Sequence, residues 1–128
     1  MAKTAMLFLQ NFKKNDYMCW HVCSQCYNLG SVVFRDDNTT YFKAEKKSHS
    51  TDVQHLAQGS AYYTGGTNLR LEISIETSSN LQTSNASDAI LDSKSRNVGF
   101  VYDYCIEDST DDDFNDIYVN VVAWKNKG

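Results

Sequence analysis

Leu69, Leu71, Ile73 and Ile75 alternate with Arg70, Glu72, Ser74 and Glu76. An apolar–polar period of two predicts a half-buried β-strand. A second such run puts Val119, Val121 and Ala123 on one face and Tyr118, Asn120 and Val122 on the other. Shorter runs predict strands over 6–12, 17–23, 29–35, 40–44, 60–63, 87–91 and 98–106. Between them stand residues that favour turns: Asp36-Asp37-Asn38, Gly65-Gly66, Ser78-Ser79-Asn80 and Ser93-Lys94-Ser95. No helical stripe of any length competes with these strands. About nine short strands at this spacing predict an all-β fold, an antiparallel β-sandwich. A chain of 128 residues makes one domain, 1–128, with a real core. Residues 45–59 carry the weakest pattern and are expected to form an exposed connection, with His49 and His55 solvated.

Composition narrows the function classes. Eight Tyr and six Phe suit sheet surfaces. No apolar run approaches the roughly 20 residues that cross a bilayer, so membrane insertion is not expected. The opening Met1-Ala-Lys-Thr-Ala-Met-Leu-Phe-Leu9 is short for the apolar core of a signal peptide and reads as a first strand. The expectation is synthesis in the cytoplasm without a cleaved leader, with export or surface association left open. An acidic pI of about 5.2 and scattered basic residues, paired only at Lys13-Lys14 and Lys46-Lys47, give no footprint for nucleic acid. There is no P-loop or dinucleotide fingerprint.

Cys19, Cys23 and Cys26 lie close together with His21, and Cys105 is within reach on another strand. The spacing lacks the paired Cys-x2-Cys knuckles of a structural zinc site. In a strand over 17–23, Cys19, His21 and Cys23 share one face, where small buried thiols are common core residues. Free thiols, a disulfide and zinc all stay open.

The densest chemistry lies in Glu107-Asp-Ser-Thr-Asp-Asp-Asp-Phe-Asn-Asp116, which runs directly into the strand from Ile117 to Trp124. Asp103 to Asp116 holds seven carboxylates and no Lys or Arg; with −4 on the whole chain, the remainder carries +3. Such crowding is self-repulsive unless a cation sits among the acids. The alternating oxygen side chains of Asp111, Asp113 and Asn115, with Asp116 adjacent, suit calcium, which takes six to eight oxygen ligands. A helical calcium loop is excluded: counted from Asp111, its sixth position is Asp116 rather than Gly and its twelfth is Val122 rather than Glu. A solvated acidic surface loop is the plainer alternative. Glu107 and Asp111 could also form a glycosidase acid–base pair. A general acid, however, needs an apolar pocket to raise its pKa. No nucleophile elbow accompanies the Ser, His and Asp residues, and an enzyme is not expected.

Glu-Asp-x-Thr-Asp-x-Asp-aromatic-Asn-Asp, followed by a Val-rich strand, a Trp and a final Gly, resembles the two-calcium bacterial lectins that bind fucose and mannose, the LecB-type family. Gly65-Gly-Thr-Asn-Leu-Arg-Leu-Glu-Ile-Ser-Ile75 and Asn97-Val-Gly-Phe-Val101 resemble that family's preceding strands. The firm match covers residues 97–128 and a looser one 65–96. Ser109 stands where the family has Gly, and Phe114 where it usually has Tyr.

The resemblance implies two calcium ions per chain, held by Glu107, Asp111, Asp113, Asn115 and Asp116, with Ser24 as a further ligand. It also implies that the terminal carboxylate of Gly128 completes the site of a neighbouring subunit. Sugar hydroxyls would bind the ions directly, beside Asp111, Asp113 and Asp116. Asp108 would accept hydrogen bonds from the sugar, Thr110 matches a family Thr, and Gln25 and Cys26 fall in the sugar-selecting loop. The implied partners are fucose- or mannose-type glycans, and the implied assembly is a homodimer or homotetramer. The alternative is a calcium-stabilised structural or adhesion sandwich that does not touch sugar.

Overall fold

A computed structural model describes residues 3–76, 81–107 and 116–128. It contains nine strands: β1 (Lys3–Phe8), β2 (Tyr17–Ser24), β3 (Gly30–Arg35), β4 (Thr40–Lys46), β5 (Gln54–Tyr62), β6 (Arg70–Ile75), β7 (Gln82–Leu91), β8 (Asn97–Glu107) and β9 (Ile117–Trp124). Among the described residues every regular element is a strand. They form two sheets, ordered β1-β6-β3-β4 and β5-β2-β9-β8-β7, in which all neighbours run antiparallel. The expected antiparallel sandwich is therefore the observed fold. The turn expected at Ser78-Ser79-Asn80 lies outside the described residues.

The core is built from the inward halves of the alternating strands. Leu71, Ile73 and Ile75 of β6 and Val32 and Phe34 of β3 face Met18 and Val22 of β2 and Val119 and Val121 of β9, all of them fully buried. Each such side chain stabilises the fold by about 1.5–3 kcal/mol through area removed from water. Trp20 meets Phe34 edge-on at 5.9 Å and lies tilted against Phe42 at 5.4 Å, tying the two sheets together. Leu9 and Phe12, which follow β1, also pack into this core, so the expected 6–12 strand ends early and continues as a buried loop.

Two expectations are corrected. The 45–59 segment is not simply a connection, because its last residues, from Gln54, belong to β5. This strand is held along one edge by its ladder to β2, and His55, Gln58, Gly59 and Ser60 are exposed, so no apolar alternation marks it. The opposite edge strand, β7, likewise begins at Gln82 although Thr83 to Asp88 are all exposed. The second correction concerns β2, where Met18, Trp20, Val22 and Ser24 face the core and Cys19, His21 and Cys23 face outward, half-buried. Met and Trp remove far more apolar area from water than the thiols would, which decides the register.

Candidate functional site

The pairing of the three central strands brings Ser24, Ile117 and Ile106 into one row, Ser24 opposite Ile117 and Ile117 opposite Ile106. Glu107 and Asp116 flank the paired Ile106 and Ile117 at the end of this row. Ser24 and Glu107 are fully buried, and Asp116 is 6% exposed. The backbone is stitched around them: Asp116 N donates to Ile106 O at 3.2 Å, and Gln25 N donates to Asp116 O at 3.2 Å. Ser24 Oγ donates to the same Asp116 carbonyl at 2.6 Å and lies 3.3 Å from the buried Cys26 Sγ. The Cys26 thiol in turn donates to Asn28 O at 3.4 Å.

Two buried carboxylates at adjoining strand ends are costly unless their charge is compensated. Neither Glu107 nor Asp116 is without partners. Apart from the Cys26 thiol, the groups gathered here carry oxygen, the donor type that hard cations take. Among the described residues no cluster of three or more His, Cys, Asp or Glu side chains forms. Asp108, Thr110, Asp111, Asp113 and Asn115 lie outside the described residues.

Of the residues singled out in the sequence, Ser24, Gln25, Cys26, Glu107 and Asp116 come together. Gly128 does not join them within one chain. It lies beside Tyr17, Trp124 and Lys127, at the far end of β2 and β9. Tyr17 and Ser24 bound the eight residues of β2, a span of roughly 23 Å at strand rise.

Beside the Ser24–Cys26 turn stands a second assembly that the sequence did not announce. Tyr27 is 59% exposed, yet it is fixed at two points. The buried Lys46 donates from Nζ to Tyr27 O at 3.4 Å and also to Ser48 O. The Tyr27 ring lies against His49, with centroids 5.0 Å apart and planes 33° from parallel. His49 Nε2 donates to Glu76 Oε1 at 2.6 Å, and Glu76 Oε1 also accepts from Leu29 N at 3.0 Å. The Leu29 amide first, then His49, hold the Glu76 carboxyl below its usual range. His49 is thus exposed but partnered, contrary to the solvated residue expected. The three contributing segments, around Tyr27, His49 and Glu76, are far apart in sequence, and no local signal joins them.

A third group occupies the outer face of the five-stranded sheet. Asp103 Oδ1 accepts from Tyr118 OH at 2.7 Å and from Asn120 Nδ2 at 2.6 Å. Burial, then Asp103, pushes the Tyr118 phenol up to about 12. His55, also expected to be solvated, stacks on His21 at 5.1 Å with ring nitrogens 2.9 Å apart. All four cysteines are free thiols, which excludes the disulfide, and among the described residues they form no metal cluster.

No protein-family model and no curated protein sequence matches the chain. Solved structures do. The C-terminal domain of the BC2L-C lectin from Burkholderia cenocepacia is similar over 100% of both chains, with a TM-score of 0.66 at 14% identity. The high-affinity mannose-binding lectin of Ralstonia solanacearum is similar over 96% of both chains, with a TM-score of 0.59 at 17% identity. The Chromobacterium violaceum lectin CV2L, solved with α-methyl-fucoside, is similar over 96% of both chains, with a TM-score of 0.55 at 16% identity. At these identities the likeness establishes a common fold.

Proposed function

We propose that this protein is a calcium-dependent lectin that binds fucose- or mannose-type monosaccharides and catalyses no reaction. The observation that carries the reading is the burial of Glu107 and Asp116 side by side at the ends of β8 and β9, where they bound a strongly acidic segment. The shared fold supports it, because one similar structure is a mannose-binding lectin and another holds a fucoside.

Glu107, Asp111, Asp113, Asn115 and Asp116 would hold two calcium ions, with Ser24 at the edge of the set. Four carboxylates would offset the four positive charges. Bound calcium supplies open coordination positions to which vicinal hydroxyls of a sugar can add, so a small polar ligand is held without a deep apolar pocket. Asp108, Thr110, Gln25 and Cys26 would lie along the sugar, although the buried Cys26 thiol acts on the shape of the turn rather than on the ligand directly. The Ser24 hydroxyl, donating to Asp116 O, fixes the turn against the acidic segment.

Gly128 sits at the opposite end of the sandwich, so any contribution from it comes from a second copy of the chain. Assembly as a homodimer or homotetramer therefore belongs to the proposal. Several sites on one assembly would multiply a modest affinity by roughly 10²–10⁴ on a glycan-bearing surface.

Calorimetry tests the reading directly. Two calcium ions per chain, and binding of methyl α-mannoside or methyl α-fucoside that disappears with a chelator, are expected. One ion or none, or sugar binding that survives chelation, overturns it. Two ions without any bound glycan would instead support the structural alternative.

A further inference from the structure

We propose that Tyr27 is a stacking platform for a second sugar unit, so that the site takes an oligosaccharide rather than an isolated monosaccharide. The proposal rests on the saccharide reading of the site beside it.

Three observations converge on Tyr27. The first is position. Gln25 N bonds to Asp116 O, and two further residues reach at most about 7 Å, which keeps the Tyr27 backbone within that distance of Gln25 and directly after Cys26, whose thiol meets Ser24. The second is order without burial. A large aromatic ring that is 59% exposed gains little from the hydrophobic effect where it stands. It is nonetheless held by a buried lysine on its carbonyl and by His49 against its ring. His49 is itself anchored by Glu76, and Glu76 by the Leu29 amide. A relay of this length keeps the ring in place before any ligand arrives, so binding to it costs little ordering entropy.

The third observation is the adjoining space. Lys46, Leu29 and Glu76, the residues that pin the pair, also line a cleft of about 380 Å³ together with Ser31, Glu45 and Lys47. The cleft offers hydroxyl, carboxylate and ammonium groups, and its Lys46 and Glu76 are the residues that hold the Tyr27 carbonyl and His49. A pyranose has the matching character, with C–H bonds that pack on the negative face of an aromatic ring and hydroxyls around its rim. A lipid chain would leave the polar wall of the cleft unsatisfied. The first sugar unit would sit at Glu107–Asp116, and the next would lie across Tyr27.

The test compares methyl α-mannoside and methyl α-fucoside with a panel of mannobioses covering every α-linkage and of fucosyl disaccharides, by calorimetry in calcium. The wild-type protein is expected to bind at least one disaccharide roughly three- to tenfold more tightly than its methyl glycoside, the range of an aromatic contact. Tyr27→Ala is expected to lose that gain while the methyl glycoside binds as before, and Tyr27→Phe and Tyr27→Trp to keep it. By NMR, ring protons of the second unit should shift upfield on binding wild-type protein and not on binding Tyr27→Ala. The proposal is overturned if no disaccharide gains, if Tyr27→Ala keeps the gain, or if Tyr27→Ala weakens both ligand classes equally, which marks a merely structural tyrosine. Failure of the wild-type protein to bind either class overturns the saccharide reading itself, and the two failures are told apart by the methyl glycoside arm.

Discussion

The hydroxyl of Ser24 donates a 2.6 Å hydrogen bond to the carbonyl of Asp116, joining residues 92 positions apart in the chain. Both partners are buried, so the bond is shielded from competing water. Ser24→Ala is expected to destabilise the protein by about 1–2 kcal/mol, a little above the mean for a hydrogen bond because the site is dry. Urea denaturation measures this. Calcium affinity should fall as well, because the turn that carries Gln25 loses one of its two bonds to Asp116 O. A change in stability below about 0.3 kcal/mol would show that the bond contributes nothing net.

Glu107→Gln keeps the shape of a fully buried side chain and removes its charge. The gain in melting temperature on adding calcium should be much smaller in this variant than in the wild-type protein. Ligand binding stabilises a fold by RT ln(1 + [L]/Kd), so a weaker site gives a smaller shift at fixed calcium. Thermal melts at several calcium concentrations provide the comparison. Equal shifts in the two proteins would remove Glu107 from the ligand set.

Ile73 is fully buried in the middle of β6, between β1 and β3. Ile73→Ala should cost about 2–5 kcal/mol, the transfer energy of the lost methyls plus the cavity left behind. Calcium dependence should be unaffected, since β6 contributes nothing to the Ser24–Asp116 row. Chemical denaturation read alongside calcium titration separates the two effects.

The Asp37 carboxyl is held below the usual carboxylate range, first by Asn68, then by Arg70 and Thr67. Asn68 Nδ2 donates at 2.9 Å, Arg70 Nη1 at 2.8 Å and Thr67 Oγ1 at 3.0 Å. A depressed folded-state pKa means that the stabilisation is fully present above the unfolded value, near 3.9, and is lost as the pH falls through the folded value. Asp37→Asn should therefore be less stable than wild type at neutral pH, with the difference shrinking below about pH 4. Denaturation midpoints across that window decide it, and a difference that does not change with pH would contradict the assignment.

Burial pushes the thiols of Cys23 and Cys105 up from their ordinary range, with Asp103 adding to the effect at Cys105. The reactive species is the thiolate, so both should alkylate more slowly near pH 8 in the native protein than in urea. Cys26, buried against Ser24, should be slow as well. Mass spectrometry after timed labelling should count four reactive thiols only after unfolding.

Legibility followed burial. The inward residues of β6 and β9 could be read because one face of each lies wholly in the core while the other does not. The edge strands β5 and β7 could not, because backbone pairing to a single neighbour holds them and their side chains carry no alternation. In β2 both faces carry apolar character, and the sulfur residues drew attention from Met18 and Trp20, which remove more area from water. At the site, Glu107 and Asp116 were legible as neighbours because they bound one acidic segment between consecutive strands. Tyr27, His49 and Glu76 were not, since only the folded sheets bring those segments together.

The place of β9 between β2 and β8 has a consequence in time. Until Ile117 to Trp124 have left the ribosome, no strand is present to join the pair β5–β2 to the pair β8–β7. Translation proceeds at about 5–20 residues per second, so the interval between synthesis of Ser24 and of Asp116 lasts roughly 5–20 s. During that interval the Ser24 hydroxyl lacks its Asp116 acceptor. Any recognition that depends on the Ser24–Asp116 row can begin only once β9 has been added between its neighbours.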